Sequence, residues 1–202
     1  MRLEGADPIL GVEMMSTGEV ACIGEDFPDT LIKSMVAAEF SVPIEKGNIL
    51  ITVAGTELKK KIIPIAKKIE KLGHKIFATH HTADIFMENG INAEILDKVS
   101  DFRIKPNIMD YILNRDLDLV INIPFASKNL ENNQILEDEY LIRRKALEFN
   151  IPVITNLQLA NALIEALEDL NEQGINDLKT YYQKVVTRSL NEYNKMLGEN
   201  YW

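Results

Sequence analysis

From Asn48 onward, apolar and polar positions follow two alternating patterns. Runs that are apolar at nearly every position, Ile49-Leu50-Ile51-Thr52-Val53 and Leu117-Asp118-Leu119-Val120-Ile121-Asn122-Ile123, suit strands buried on both faces. Between such runs, apolar residues recur every three or four positions. Leu58, Ile62, Ile65, Ile69 and Leu72 make one helical stripe, with Thr56 placed to cap it, Gly73 to end it and Pro64 to kink or strain it. Further strands are predicted over 75–78, 93–96 and 152–155. Further helices are predicted from about 28 to 40, from 79–82 through Met87, over 106–114, 138–149 and 157–170, and as one last helix over 178–196.

Strands that alternate with helices imply an α/β fold, a doubly wound five-stranded parallel sheet of flavodoxin-like or Rossmann-like type over residues 46–172. Residues 1–26 read instead as strand fragments and turns with no core of their own. In a sheet of this kind ligands bind beyond the carboxyl ends of the strands. The residues found there are mostly hydroxyls, amides and lysines: Gly55, Thr56, Lys59 and Lys60; Thr79, His80, His81 and Thr82; Lys98; Asn122; Thr155 and Asn156. Little in that set could serve as a general base or nucleophile.

Two hydroxyls at a helix start, Thr79 and Thr82, fit an anion site built on free N–H groups and the positive end of the helix dipole, though plain capping is the reading put first. His80 and His81 lack a third metal ligand at suitable spacing, which favours ordinary solvated or hydrogen-bonded histidines. Lys98 reads as a surface lysine or an anion ligand, and Asn122 as a satisfied amide or a ligand group. Arg143 and Arg144 sit early in a helix, where one is expected to face an acidic neighbour.

The composition narrows the partners. The 202 residues carry 22 Lys+Arg against 31 Asp+Glu, a net charge of −9, which argues against a non-specific nucleic-acid binder. Yet residues 56–75 hold seven Lys against two Glu, so a small anion remains a fitting ligand. One cysteine, Cys22, cannot make an internal disulfide, and the default compartment is a reducing cytoplasm. No apolar run reaches the roughly 20 residues that cross a bilayer, and the N-terminus lacks the apolar core of a signal peptide.

Gly5-Ala6-Asp7-Pro8-Ile9-Leu10-Gly11-Val12-Glu13-Met14 and Ser16-Thr17-Gly18-Glu19-Val20-Ala21-Cys22 resemble the large chain of carbamoyl-phosphate synthetase, where its second ATP-grasp unit meets its C-terminal regulatory region. Phe77-Ala78-Thr79-His80-x-Thr82, Asp118-Leu119-Val120-Ile121-Asn122, Ile142-Arg143-Arg144 and Ile151-Pro152-Val153-Ile154-Thr155-Asn156 continue the resemblance. These later motifs alone indicate only the wider methylglyoxal-synthase-like group.

The resemblance implies that residues 1–26 end a synthetase unit and 27–45 connect it onward. Residues 46–172 would form an effector-binding domain and 173–202 a helical extension. It implies no catalytic residue and no cofactor here, ATP and Mg or Mn belonging to the synthetase units elsewhere in the enzyme. That enzyme makes carbamoyl phosphate for arginine and pyrimidine synthesis. Implied partners are the synthetase domains of the same chain, a small anionic effector such as UMP, IMP or N-acetylglutamate, and a glutaminase small subunit; self-association stays open. The implied effector-binding residues are Thr79, His80, Thr82, Lys98, Asn122 and Lys59. Lys98 follows the nucleotide-regulated type, and Glu139 would repel a dicarboxylate. Asn122-Ile123-Pro124, however, follows the N-acetylglutamate type, which weakens the case for a nucleotide. The alternatives are a methylglyoxal-synthase-like lyase, disfavoured by the absence of a Gly-Gly-Asp segment, and a ligand-free assembly domain.

Overall fold

A computed structural model describes residues 20–98, 107–124, 133–185 and 188–198. Helix α1 (Phe27–Ala37) precedes a regular alternation: β1 (Asn48–Val53), α2 (Thr56–Lys71), β2 (Lys75–Ala78), α3 (His80–Glu88), β3 (Ala93–Ile95), α4 (Ile108–Asn114), β4 (Leu119–Ile123), α5 (Asn133–Glu148), β5 (Val153–Ile154) and α6 (Leu157–Glu172). Two helices follow, α7 (Leu178–Lys184) and α8 (Leu190–Gly198). The strands form one parallel sheet in the order β3-β2-β1-β4-β5. Strand order therefore reverses between β1 and β4, and the doubly wound α/β fold expected from the pattern is present.

The pleat sorts the side chains. Ile49, Ile51, Val53, Leu119, Ile121 and Ile123 pack on one face with residues of α1, α2, α3 and α6. Leu50, Phe77 and Val120 pack on the other with residues of α4 and α5. Successive residues point to opposite faces. Thr52 and Asn122, which lie opposite each other in the β1–β4 register, therefore follow Leu50 and Val120 onto the α4/α5 face. Both are buried polar residues at the carboxyl end of that face.

Several local expectations are corrected. Thr56 does not cap α2: the N-cap is Gly55, whose φ of 81° lets the chain turn sharply out of β1, and Thr56 is already helical. Pro64, expected to kink or strain α2, lies inside that helix, which runs on through it to Lys71. Helix α5 begins at Asn133 rather than Asp138, and the last helix is two, because Val185 leaves helical geometry with ψ 117°. Gly73, with φ 87°, does come after α2 as anticipated. Residues 1–19, with most of the N-terminal motif, lie outside the described residues; at 20–26, where strand fragments were expected, no strand forms before α1.

Candidate effector site at the switch in strand order

A cavity of about 270 Å³ opens at the carboxyl ends of the strands. Its floor is Thr52, Val53, Ala54 and Gly55, where β1 hands over to α2. One wall carries Lys59 from the first turns of α2, Thr79 at the N-cap of α3 and Lys98 beyond β3. The other wall is α5, with Asp138, Glu139 and Ile142. The N-termini of α2 and α3 both border the cavity through Gly55 and Thr79, so two helix dipoles present their positive ends to it.

The cationic wall is electrostatically strained. The Lys59 ammonium is held below the ordinary lysine range, first by burial and then by the nearby Lys98 charge, with Asp84 opposing. An anion between the two ammonium groups relieves this repulsion. Neither lysine makes an ion pair among the described residues.

Hydroxyls at the start of α3 are not spent on capping. The Thr79 side chain makes no cap hydrogen bond. The Thr82 side chain is buried, and its Oγ1 has no hydrogen-bond partner. His81 borders the cavity, whereas Nε2 of His80 lies 2.8 Å from Oδ1 of Asp97.

Asn122 is held by neighbours instead of facing the cavity. Its side-chain nitrogen donates to Thr52 Oγ1 (2.6 Å), and its oxygen accepts from Arg143 Nη1 (2.6 Å). Of the six residues expected to bind an effector, Lys59, Thr79 and Lys98 border one cavity, while His80, Thr82 and Asn122 do not line it. Arg144 meets an acidic neighbour, Glu148, at 3.1 Å.

Residues 61–155 match the family described as the MGS-like domain. These residues form an MGS-like domain. They contain most of the sheet and the Thr79, Lys98 and α5 walls of the cavity, while Lys59 and the β1–α2 turn lie just before the matched segment.

Around this domain, the chain is 40% identical over 171 residues to the C-terminal section of the carbamoyl phosphate synthase large chain of Methanopyrus kandleri, covering 85% of this chain and 30% of that one. It is 40% identical over 176 residues to the same section from Aquifex aeolicus, covering 86% and 31%. It is 35% identical over 195 residues to the carbamoyl phosphate synthase large chain of Archaeoglobus fulgidus, covering 96% and 16%. The chain thus spans less than a third of each relative.

The part of the MGS-like site that periodicity did not reveal is the acidic wall. Asp138 and Glu139 are buried. A signal existed: Asp138 stands four residues before Ile142 and eight before Ala146, in line with buried apolar positions of the same helix. Among the described residues, no group of three or more His, Cys, Asp or Glu is arranged to hold a metal ion, and no helix is long and apolar enough to cross a membrane.

Proposed function

We propose that this chain is the effector-binding region of a carbamoyl phosphate synthase large chain, and that its cavity takes a small phosphate-bearing effector of the UMP or IMP kind. The observation that carries the reading is the pair Lys59 and Lys98, brought together at the switch in strand order beside two helix N-termini. A phosphate accepts charge-assisted bonds from both ammonium groups and from the Thr79 hydroxyl. In this reading the domain has no catalytic task. Catalysis, with ATP and its metal ions, belongs to the synthetase domains of the same large chain, working in the cytoplasm for arginine and pyrimidine synthesis with nitrogen delivered by a glutaminase subunit. An effector shifts the enzyme only if it prefers one arrangement of those domains over another.

Titration calorimetry of the chain with UMP and IMP tests the reading. Saturable binding that weakens in Lys59→Met and in Lys98→Met, and disappears when both are replaced, supports it. Absence of binding at millimolar ligand overturns it.

A second reading is favoured by one observation. Buried carboxylates, Asp138 and Glu139, border the same cavity as the lysines. A carboxylate beside a bound phosphate ester could take a proton from the carbon next to a ketone, after which phosphate leaves, as a lyase acting on dihydroxyacetone phosphate requires. Formation of methylglyoxal from that substrate by the purified chain, lost in Asp138→Asn, would establish it.

A further inference from the structure

Four polar side chains meet at the amino-terminal end of the sheet, away from the switch in strand order. Lys46 lies in the connection from α1 to β1, His74 in that from α2 to β2, Asn171 near the end of α6 and Asn176 between α6 and α7. With Ile44, Leu72, Leu167 and Ile175 they line a cavity of about 340 Å³. The 6 residues of β1 separate it from the cavity at the strand exits, and at about 3.3 Å per residue that is roughly 20 Å. Among the described residues, Lys46 makes no ion pair, and the side-chain amides of Asn171 and Asn176 make no hydrogen bond.

His74 is only 7% exposed, and its tautomer is fixed. The Gly47 N–H donates to its Nδ1 at 3.1 Å. A backbone N–H can only donate, so the neutral ring carries its proton on Nε2. Nε2 has no hydrogen-bond partner among the described residues, yet it is not one of the atoms sealed from solvent, so its N–H opens onto the cavity. Gly73 brings Lys46 to the same place. A Cβ there would stand 2.9 Å from Lys46 Cε and 3.3 Å from its Nζ, so the lysine lies in the space that the glycine leaves free. The charges that act on the imidazole are those of Asp118 and Lys46. Asp118 does not line the cavity, and its Oδ2 accepts from the Asn48 N–H at 2.7 Å.

The lining therefore offers many donors, one formal positive charge, no carboxylate and four aliphatic side chains. A carboxylate accepts from an ammonium and an imidazole N–H at once. One positive charge balances a monoanion, whereas a dianion would keep an uncompensated charge near Asp118. We propose that this cavity binds a small aliphatic monocarboxylate, with its carboxylate held by Lys46 Nζ and the His74 Nε2–H and its hydrocarbon chain laid against the aliphatic wall.

Titration of the chain with isovalerate tests the proposal, read by calorimetry and by the His74 Nε2–H signal in proton–nitrogen correlation spectra. Saturable binding is expected, about 10-fold tighter than that of acetate or of the neutral isovaleramide, with the His74 signal moving in step. Lys46→Met, a change at the surface, should weaken binding about 10-fold. His74→Asn keeps an acceptor for the Gly47 N–H but cannot reach as far as Nε2, and should weaken it similarly. Equal binding of the acid and the amide overturns the proposal, as does binding that is unchanged in folded Lys46→Met and His74→Asn. Binding lost in Lys98→Met but kept in Lys46→Met would put the carboxylate in the other cavity and also overturns it. So does the absence of saturable binding at millimolar isovalerate.

Discussion

Arg143 donates from Nη1 to the side-chain oxygen of Asn122 across 2.6 Å, with both residues buried. Asn122 passes the contact on to Thr52 at 2.6 Å, so α5, β4 and β1 are tied together beneath the cavity floor. An amide suits this place because it accepts from the guanidinium and donates to the hydroxyl at once.

Truncating that amide removes a buried partner from the Arg143 guanidinium and another from the Thr52 hydroxyl. Asn122→Ala should cost about 3 kcal/mol, since an unsatisfied buried donor costs about 1–3 kcal/mol and a charged one more. Asn122→Asp keeps an acceptor for Arg143, and the Thr52 hydroxyl can rotate to donate, so its cost should be about 1 kcal/mol. Urea unfolding of the three proteins measures the order; equal costs for both variants would show that the network contributes nothing particular to stability.

Thr82 presents the reverse case. Its Oγ1 is buried and makes no hydrogen bond, a state that costs about 1–3 kcal/mol relative to a satisfied hydroxyl. Thr82→Val, nearly the same shape without the hydroxyl, should stabilise the ligand-free chain by about 1 kcal/mol. A midpoint that falls instead would mean that the hydroxyl is satisfied in solution.

These two residues also mark how far the sequence could be read. Strands were legible because a parallel strand covered on both faces is apolar throughout, as Ile49 to Val53 and Leu119 to Ile123 are. The start of α5 was not, because between Asn133 and Glu137 the apolar residues Ile135 and Leu136 are adjacent and set no helical period. Lys59, Thr79 and Lys98 could be found because a parallel sheet gathers the exits of all its strands along one edge. Which hydroxyl or imidazole turns toward the cavity depends on the phase of α3, and so His81 borders it while His80 turns to Asp97. Asn122 could not be assigned from the chain alone, because its partners lie 21 and 70 residues away.

At the opposite end of the sheet, His74 should make folding sensitive to mild acid. Burial holds its imidazole below the usual histidine range, with Asp118 opposing. The Gly47 N–H donates to its Nδ1 at 3.1 Å, which requires that nitrogen to be unprotonated. Since the unfolded chain takes up the proton more readily, stability is full above about pH 6.5 and falls as pH drops from there toward the lowered folded value. Urea midpoints at pH 7.5 and 5.5 should therefore differ, and His74→Asn should reduce the difference. An identical difference in the variant would assign the acid sensitivity to carboxylates.

Lys59 should make anion binding sensitive to base. Burial and Lys98 hold its ammonium below the usual lysine range, so it loses its proton at lower pH than an exposed lysine. A bound phosphate reverses the electrostatics, stabilising the charged form, and binding in alkaline buffer should therefore take up protons. Affinity for a phosphate monoester should be steady near neutrality and decline as pH rises through the depressed range. Lys98→Met removes the like charge but not the burial, so the decline should move to higher pH even though affinity at neutrality is weaker. Calorimetry in two buffers of different ionisation enthalpy reads the proton uptake directly. An affinity that declines at the same pH in Lys98→Met as in the unaltered chain would show that the two ammonium groups do not share the ligand.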